Sequence, residues 1–477
     1  MKAIRENGLL ITGSIFFAAI SSMLIWMNLS YLILFPFALM AIYASIFHQE
    51  FMFLALAFMT PLSINIEEWV DGFGLFLPTE PILFGLMLLF LMQQTRRNLI
   101  PAYVTKHLIV RVVIIYLIWI LVTSITSTHP VASLKFLLAK LWFIVPILFF
   151  GPRIYENRQN IHRFIWLLSI GMSLVICYTI AVHASYGFGE KEGHWVMSPF
   201  FKDHTIYGAL VALLTPLIFG LYFAKKYSPL VQMTLIGMIL INLMGLYFSY
   251  TRAAWLSIIA ALGVYALIKL RVKFSILASI VALAGLALYF SWDRIQMEME
   301  RNKYEHTTEA FSERLQSATN VTTDASNLER LNRWSCALEM FKERPVFGFG
   351  PGTYAFEYAR FQDPENLTII STNFGNMGNA HSEYLGPLSE SGLPGMLLIL
   401  AIVAAIFYKG ITLYLSWPKE DKEMRTILMS MIMSLVTYFL HGILNNYLDT
   451  DKASIPIWTM CAIFIAMDHK LKTKELS

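Results

Sequence analysis

Long apolar runs recur along this 477-residue sequence from near its start to near its end. A helix crosses hydrocarbon because its backbone polar groups bond to one another, which takes about 20 apolar residues. Only 14% of the residues are charged, against about 25% in soluble domains. The pattern predicts an all-α polytopic membrane protein with about 12–14 transmembrane helices. The candidate spans are 8–26, 31–47, 51–66, 81–94, 108–126, 133–150, 163–184, 204–224, 229–249, 253–270, 273–290, 392–409, 426–444 and 454–468.

Basic residues give the predicted orientation, because short cytoplasmic loops are enriched in Lys and Arg. If the amino terminus is inside, more than half of the 36 basic residues fall in predicted inside segments. Every inside segment is then basic except the short turn at 48–50. We therefore expect both termini on the cytoplasmic side of the membrane.

One predicted outer segment, 291–391, is too long for a simple loop and too polar to span, with fifteen acidic and nine basic residues. The chain therefore divides into transmembrane helices over 1–290, this large and partly helical loop, and C-terminal helices with a tail over 392–477. Within the loop we expect a helix from Trp292 to Leu315, an amphipathic helix over 328–343, a break at GFGPGTY (348–354) and a helix or turn over 354–362.

His381 lies in the sequence NAHSEYL, just before an apolar helix at the predicted outer face. Imidazole can accept a proton from a hydroxyl near neutral pH, so His381 is a candidate general base. Ser382 and Glu383 are close enough in sequence to orient it. A lone histidine in this position more often caps a helix or bonds a backbone carbonyl, and that alternative stays open.

Three arginines are candidates for binding an anion. Arg252, in FSYTRAAWLS, lies where a predicted span meets the outer surface, and an arginine at that depth needs a partner. The alternative is that it reaches lipid phosphates. Arg330 and Arg333 lie three residues apart and so share one helix face. Their alternative is a solvated face that pairs with Glu329 or Glu339.

A further polar cluster, Lys202, Asp203 and His204, lies at another outer boundary, while Lys140 interrupts a span without an evident partner. Guanidinium groups bind phosphate oxygens in pairs, and a diphosphate would use two or more cations. The sequence therefore predicts an anionic, phosphorylated ligand at the outer leaflet.

Several functions lack support in the sequence. It contains no GxxxxGK[ST], HExxH or GxSxG motif, and its three cysteines are far apart, so ATP hydrolysis, metalloproteolysis and a zinc site are not indicated. The net charge of +4 indicates no nucleic-acid partner. Acidic residues at 67–71 and at Asp449 and Asp451 could coordinate a divalent metal, but such loops are usually just solvated. No cofactor and no bound metal are expected.

The segments NLERLNRWSCALEMFKERPVFGFGPGTYAFEYARFQ and NAHSEYLGPLSESGLPG resemble the signature region of the O-antigen ligase and O-antigen polymerase superfamily. FSYTRAAWL resembles the Ser-x-(Ser/Thr)-Arg element of that family, here Ser249, Thr251 and Arg252. The detailed resemblance covers residues 248–395, and the order of spans with one late outer loop extends it over most of the chain.

The resemblance implies an inverting glycosyltransferase of the bacterial inner membrane. It would transfer a glycan from undecaprenyl diphosphate at the periplasmic face, needing neither nucleotide nor metal. A ligase uses lipid A-core oligosaccharide as acceptor, and a polymerase uses another repeat unit. By position, His381 matches the essential histidine of the family, and Arg252 and Arg330 match its essential arginines. Lys202 stands where some relatives carry arginine. His204, Arg333 and Glu383 are expected to support the site.

Three readings remain open on the sequence alone: a ligase, a polymerase, and a transporter of lipid-linked glycan that makes no new bond. Transporters tend to show repeat symmetry, and no second half of this sequence mirrors the first. A metal-dependent transferase that uses Glu67 or Glu68 is a fourth, weaker reading.

Overall fold

The structure is a computed structural model, and it describes residues 19–27, 32, 35–67, 74–96, 100–272, 290, 325–362 and 378–475. The chain divides into two compact units, residues 1–53 and 54–477. The predicted span 273–290, the predicted helix from Trp292 to Leu315 and most of the span 8–26 lie outside the described residues.

The described elements are almost all helices, in agreement with the predicted all-α membrane class. In chain order they are α1 (Phe35–Phe47), α2 (Gln49–Leu62), β1 (Ile64–Asn65), β2 (Phe76–Leu77), α3 (Thr79–Arg96), α4 (Ala102–Lys106), α5 (Leu108–Ile125), α6 (Pro130–Val145), α7 (Gly151–Tyr155), α8 (Arg158–Ser185), α9 (His204–Ala224), α10 (Pro229–Tyr247), α11 (Arg252–Lys269), α12 (Ala325–Glu343), α13 (Tyr354–Glu357), α14 (Leu385–Ser416), α15 (Lys422–His441) and α16 (Asp451–Glu475). A π-helical turn, Pro146–Phe150, joins α6 to α7, and β1 pairs antiparallel with β2.

Eight helices in the described part of the chain are long and apolar enough to cross a membrane: α5, the continuous helix from α6 to α7, α8, α9, α10, α11, α14 and α15. This number is smaller than the fourteen predicted spans. Helices α1 and α2 have only 13 and 14 residues, shorter than a single crossing. Helices α3 and α16 match predicted spans in position, but polar residues at their ends dilute their hydropathy.

Helix α9 lies at the centre of the second unit. Most of its residues are buried, whereas few residues of α11 are buried within the described part of the chain, as suits a helix that faces lipid. Two glycines let neighbours approach α9 closely. A Cβ at Gly220 would lie 2.4 Å from the Ser430 hydroxyl of α15, and one at Gly208 would lie 2.7 Å from Thr251. Small residues at such contacts let helices pack closely in a membrane.

The segments that contain the motifs GFGPG and SGLPG are hydrogen-bonded to each other through these motifs and the residues beside them. Gly392 has a non-helical backbone with a φ of 70°, which kinks α14. The N–H of Gly350 donates to the Glu390 carbonyl at 2.7 Å, and the N–H of Leu393 donates to the Pro345 carbonyl at 2.9 Å. These bonds hold the turn after α12 against the start of α14. The predicted helix at 328–343 is confirmed by α12, and the predicted break at 348–354 by this turn.

Candidate active site

A cavity of about 540 Å³ opens where the starts of α9 and α14 meet the segment after α15. This volume lies within the range of about 300–1,000 Å³ that is usual for small-molecule sites. Three of the predicted site residues, His381, Lys202 and Glu383, line it. Other lining residues come from distant parts of the chain: Tyr116, Phe136, Lys140, Asp203, Tyr354, Glu390, Asn446, Tyr447, Asp449 and Lys452.

His381 lies in a turn in which its ring makes no hydrogen bond to the described residues. Its backbone has a φ of 46°, in the left-handed region that non-glycine residues adopt rarely and at a cost. The turn is held by a bond from the His381 N–H to Asn379 Oδ1 at 2.9 Å. Among the described residues, neither ring nitrogen has a hydrogen-bond partner. The side chain that accepts the free N–H groups at the start of α14 is Ser382, not His381.

Burial and charge keep the His381 imidazole neutral. Burial lowers its pKa to about 4, and the positive charges of Arg330 and Arg333 act in the same direction. A neutral imidazole near pH 7 can accept a proton, as a general base must. The ring is therefore neutral near pH 7 and can accept a proton, although a pKa this low makes it a weaker base than an ordinary imidazole.

Glu383 was expected to orient His381, but its hydrogen bonds go elsewhere. Its Oε1 accepts from the Tyr438 hydroxyl at 2.5 Å, the Tyr447 N–H at 2.7 Å and the Leu448 N–H at 2.8 Å. Burial and the nearby Asp449 raise the pKa of this carboxyl. Glu383 thus ties the histidine turn to the segment after α15, and within the described chain no bond joins it to the His381 ring.

Arg252 and Arg330 belong to different elements but lie near the same histidine, His204. Arg252 is the first residue of α11, and the hydroxyl of the preceding Thr251 donates to the His204 carbonyl at 2.8 Å. Arg330, on α12, donates from Nε to the Leu444 carbonyl at 3.2 Å. Both guanidinium groups are close enough to His204 for their charges to act on its ring. The two predicted arginines therefore lie near the same residue, His204, and Arg330 also lies near His381.

The Ser-x-Thr-Arg element has a structural explanation. The Ser249 hydroxyl donates to the Leu246 carbonyl at 2.7 Å and accepts from the Thr251 N–H at 3.3 Å. Between them Tyr250 has a φ of 51°, a second left-handed residue beside a predicted site residue. The small hydroxyl residues close a tight turn against α9, which places Arg252 at the start of α11.

The other predicted supporting residues have partners of their own. Arg333 is buried, donates from Nε to Glu329 Oε1 at 2.8 Å and lies over the Tyr358 ring at 4.2 Å from its centroid. It therefore makes the pair with Glu329 that the sequence offered as an alternative, although the pair is buried and not solvated. His204 stacks on His194 with 4.2 Å between ring centroids. Lys202 is exposed at the cavity.

Two buried lysines line the cavity: Lys140, which the sequence marked without indicating its partner, and Lys452, which it did not mark. Lys140 forms an ion pair with Asp449 and donates to the Leu448 carbonyl at 3.2 Å. Lys452 donates to the carbonyls of Thr60 and Ser63 at 2.8 and 2.7 Å. The sequence feature that could have identified these lysines is a charged residue in or beside a membrane span, which costs free energy unless it is paired. It indicated that Lys140 is important but not which acid it pairs with.

The two acidic residues of the DTD sequence point to different partners. Asp449 pairs with Lys140, whereas Asp451 accepts from the Thr79 hydroxyl at 2.5 Å and from Ser63. In the ranges that the structure describes, no group of three or more His, Cys, Asp or Glu side chains is arranged to hold a metal ion. Glu68 and Asp71 lie outside those ranges.

Residues 236–400 match the family model described as O-antigen ligase. The matched segment contains Arg252, Arg330 and His381, together with the hydrogen-bonded segments that contain GFGPG and SGLPG. None of the curated proteins matches the chain. With its membrane-spanning helices, the match indicates a membrane glycosyltransferase of the O-antigen ligase or polymerase type, and it supports placing this chain in the O-antigen ligase and polymerase superfamily.

Proposed function

We propose that this protein transfers a glycan from undecaprenyl diphosphate to an acceptor hydroxyl, as an O-antigen ligase whose acceptor is lipid A-core. The observation that carries the proposal is the ring of His381, which lines a cavity and makes no hydrogen bond to the described residues. Arg330 is close enough for its charge to act on that ring, and Arg252 and Arg330 both act on His204. A base and a diphosphate-binding pair are the groups that such a reaction requires.

In the proposed reaction, His381 accepts the proton of the acceptor hydroxyl. The acceptor oxygen attacks the anomeric carbon of the donor sugar from the face opposite the diphosphate. As the new C–O bond forms, the bond from the anomeric carbon to the diphosphate oxygen breaks, which inverts the configuration. Arg252 and Arg330 stabilise the charge that grows on the leaving undecaprenyl diphosphate. Lys202, exposed at the cavity, adds a third cation for the diphosphate.

We further propose that the protein lies in the bacterial inner membrane with both termini in the cytoplasm and the site on the periplasmic face. The distribution of basic residues along the sequence supports this orientation. The site is built at one end of the helices, from the starts of α9, α11 and α14 and the end of α15, which suits a substrate presented at one leaflet.

The test is a reaction reconstituted in liposomes with undecaprenyl diphosphate-linked glycan and either lipid A-core or a second repeat unit as acceptor. One discrete product on lipid A-core supports the ligase, and a ladder of repeats would instead identify a polymerase. Movement of donor across the bilayer without a new bond would contradict both. EDTA is expected to leave turnover unchanged, and chelator-sensitive turnover restored by magnesium would contradict metal independence.

His381→Ala is expected to abolish transfer in this assay while the protein still inserts. The matched control is His162→Ala, because His162 pairs with Glu423 at the opposite end of α15, at 2.9 Å. Retained transfer by His381→Ala would overturn the proposed base. Loss of transfer in both variants would show that the assay reports folding and not chemistry.

A further inference from the structure

The part of the cavity lined by Asn446, Tyr116 and Glu390, called here the inner wall, carries polar groups that have no role in the proposed reaction. Asn446, in the segment after α15, lines it, and the carboxamide oxygen of this residue is buried without a hydrogen-bond partner among the described residues. Buried polar atoms are almost always hydrogen-bonded, and an unpaired acceptor costs free energy. An unpaired acceptor at a cavity wall can bond a donor that arrives with a ligand or with a water molecule.

Other hydrogen-bonding groups surround the same space. The phenol of Tyr116, on α5, lies close enough to Lys140, Asp449 and Glu390 for their charges to act on it. In the part of the chain that is described, its hydroxyl has no hydrogen-bond partner. Glu390 Oε1 accepts from the Tyr354 N–H at 3.0 Å, which fixes that carboxyl at the cavity. The inner wall thus presents a phenol, a carboxamide and carboxyl groups.

Lys202 and Lys452 also line the cavity, but the charges around Tyr116 do not suit a phosphate. Lys140 is paired with Asp449 and also bonded to a backbone carbonyl, so its charge is already compensated. Glu390 adds a carboxyl group beside it. Neither Arg252 nor Arg330 is among the described residues that line the cavity. A neutral ligand with many hydroxyl groups fits these donors and acceptors better than an anion does.

We propose that Tyr116, Glu390, Asn446 and the Lys140–Asp449 pair form a subsite that binds the hydroxyl groups of the acceptor glycan. The inference rests on the proposed function, because His381 opens into the same cavity and would take its proton from the sugar held there. The donor diphosphate would bind at Arg252 and Arg330, which are not among the described residues that line this cavity, with Lys202 as its contact on the cavity.

The test uses the variants Tyr116→Phe and Asn446→Ala in the full-length protein. Phenylalanine fills the space of tyrosine, and neither replaced polar group holds the fold through a described hydrogen bond. The control is Tyr408→Phe, on the exposed face of α14. The KM for the acceptor glycan is measured at saturating donor, and the KM for undecaprenyl diphosphate-linked glycan at saturating acceptor. Each subsite variant is expected to raise the acceptor KM roughly 3- to 10-fold, as for one lost hydrogen bond.

A second arm measures binding without turnover. Lipid A-core, or a repeat-unit glycan, is titrated onto the protein in nanodiscs with no donor present. Weaker glycan binding by both variants, with unchanged binding by Tyr408→Phe, supports the subsite. If the same protein then shows no transfer, only the proposed function fails, and the subsite stands. Unchanged acceptor binding and KM, a rise in the donor KM instead, or no glycan binding by the wild type would each overturn the subsite.

Discussion

Glu383 Oε1 accepts a hydrogen bond from the backbone N–H of Tyr447 at 2.7 Å, across 64 residues of sequence. This contact joins the two segments that carry the proposed reacting groups. Glu383 follows His381 in the same turn, and the segment that contains Tyr447 also contains Leu444, the carbonyl partner of Arg330. The distance between the proposed base and one proposed phosphate-binding group therefore depends on a carboxylate that touches neither.

Glu383→Ala is expected to lower both stability and transfer. It leaves three donors, two backbone N–H groups and the Tyr438 hydroxyl, without an acceptor in a buried place, and each such loss costs about 1–3 kcal/mol. We expect the free energy of unfolding to fall by about 3 kcal/mol or more, with transfer reduced at least roughly 10-fold because the histidine turn moves. Glu383→Gln retains an acceptor and should lose less of both.

Thermal unfolding in detergent and reconstituted transfer measure the two effects. The matched control is Glu339→Ala, because Glu339 is exposed and pairs with Lys342 on the surface of α12. Surface pairs of this kind contribute about 0–1 kcal/mol. Equal unfolding temperatures for Glu383→Ala and Glu339→Ala would contradict the role assigned to Glu383.

The His381 imidazole should titrate well below the ordinary histidine range. Its pKa is lowered to about 4 from the usual 6.5, first by burial and then by Arg330 and Arg333. Because the folded protein disfavours the charged ring, this group makes stability fall as the pH drops from 6.5 toward 4. If transfer needs the neutral ring, transfer activity should be lost only as the pH approaches 4.

Arg330→Gln removes one cation and should raise the His381 pKa. The measurement is NMR titration of labelled histidine, with His381→Ala to identify the signal, so no turnover is required. Arg360→Gln serves as the control, because Arg360 is exposed and pairs with Glu357 and Glu343. An unmoved or lowered pKa in Arg330→Gln would mean that the guanidinium does not act on the ring.

The helices were predictable from the sequence where the length of an apolar run alone determines where the helix begins and ends. The predicted span 204–224 has the same bounds as α9, and 229–249 differs from α10 by two residues at its end. The early segments differ because tertiary contacts end them. The carbonyls at the end of α2, at Thr60 and Pro61, accept hydrogen bonds from Lys452, a residue nearly 400 positions away. No local pattern contains that bond.

The candidate site was predictable only in part, for a similar reason. Arg252 stands out because an arginine is costly at a membrane boundary, and His381 because imidazole can accept a proton near neutral pH. Arg330 stands out only through the family resemblance of its motif. Lys140 stood out too, but its partner Asp449 lies 309 positions away, and one sequence does not say which acid it meets. Asn446 gave no signal at all, because an asparagine in a loop is ordinary until its oxygen is found buried.

Arginine at positions 252 and 330 should not be replaceable by lysine. A guanidinium group offers a planar fork that binds two phosphate oxygens, which an ammonium group lacks. Arg252→Lys and Arg330→Lys are each expected to lower kcat/KM for the lipid diphosphate donor at least roughly 10-fold, about 1.4 kcal/mol of lost transition-state stabilisation.

The control for these variants is Arg163→Lys, because Arg163 lies near the start of α8 and bonds Asn160 at 3.1 Å, remote from the cavity. Its donor kinetics should stay within about twofold of the wild type. Wild-type kcat/KM in both Arg252→Lys and Arg330→Lys would argue against diphosphate recognition by these side chains.

Gly392→Ala should destabilise the site. The backbone of Gly392, with φ 70° and ψ −173°, lies in a region essentially limited to glycine and costs an alanine about 1–3 kcal/mol. The new Cβ would also lie 2.0 Å from the Val346 carbonyl oxygen. Relieving that overlap requires the GFGPG turn to separate from α14, at a further cost of about 1–3 kcal/mol. Gly263→Ala is the control, since a Cβ there meets nothing within 4 Å and a helix gains about 0.5–1 kcal/mol from alanine. Unfolding temperatures of the two variants should therefore move in opposite directions, and a shared direction would mean that the kink does not depend on glycine.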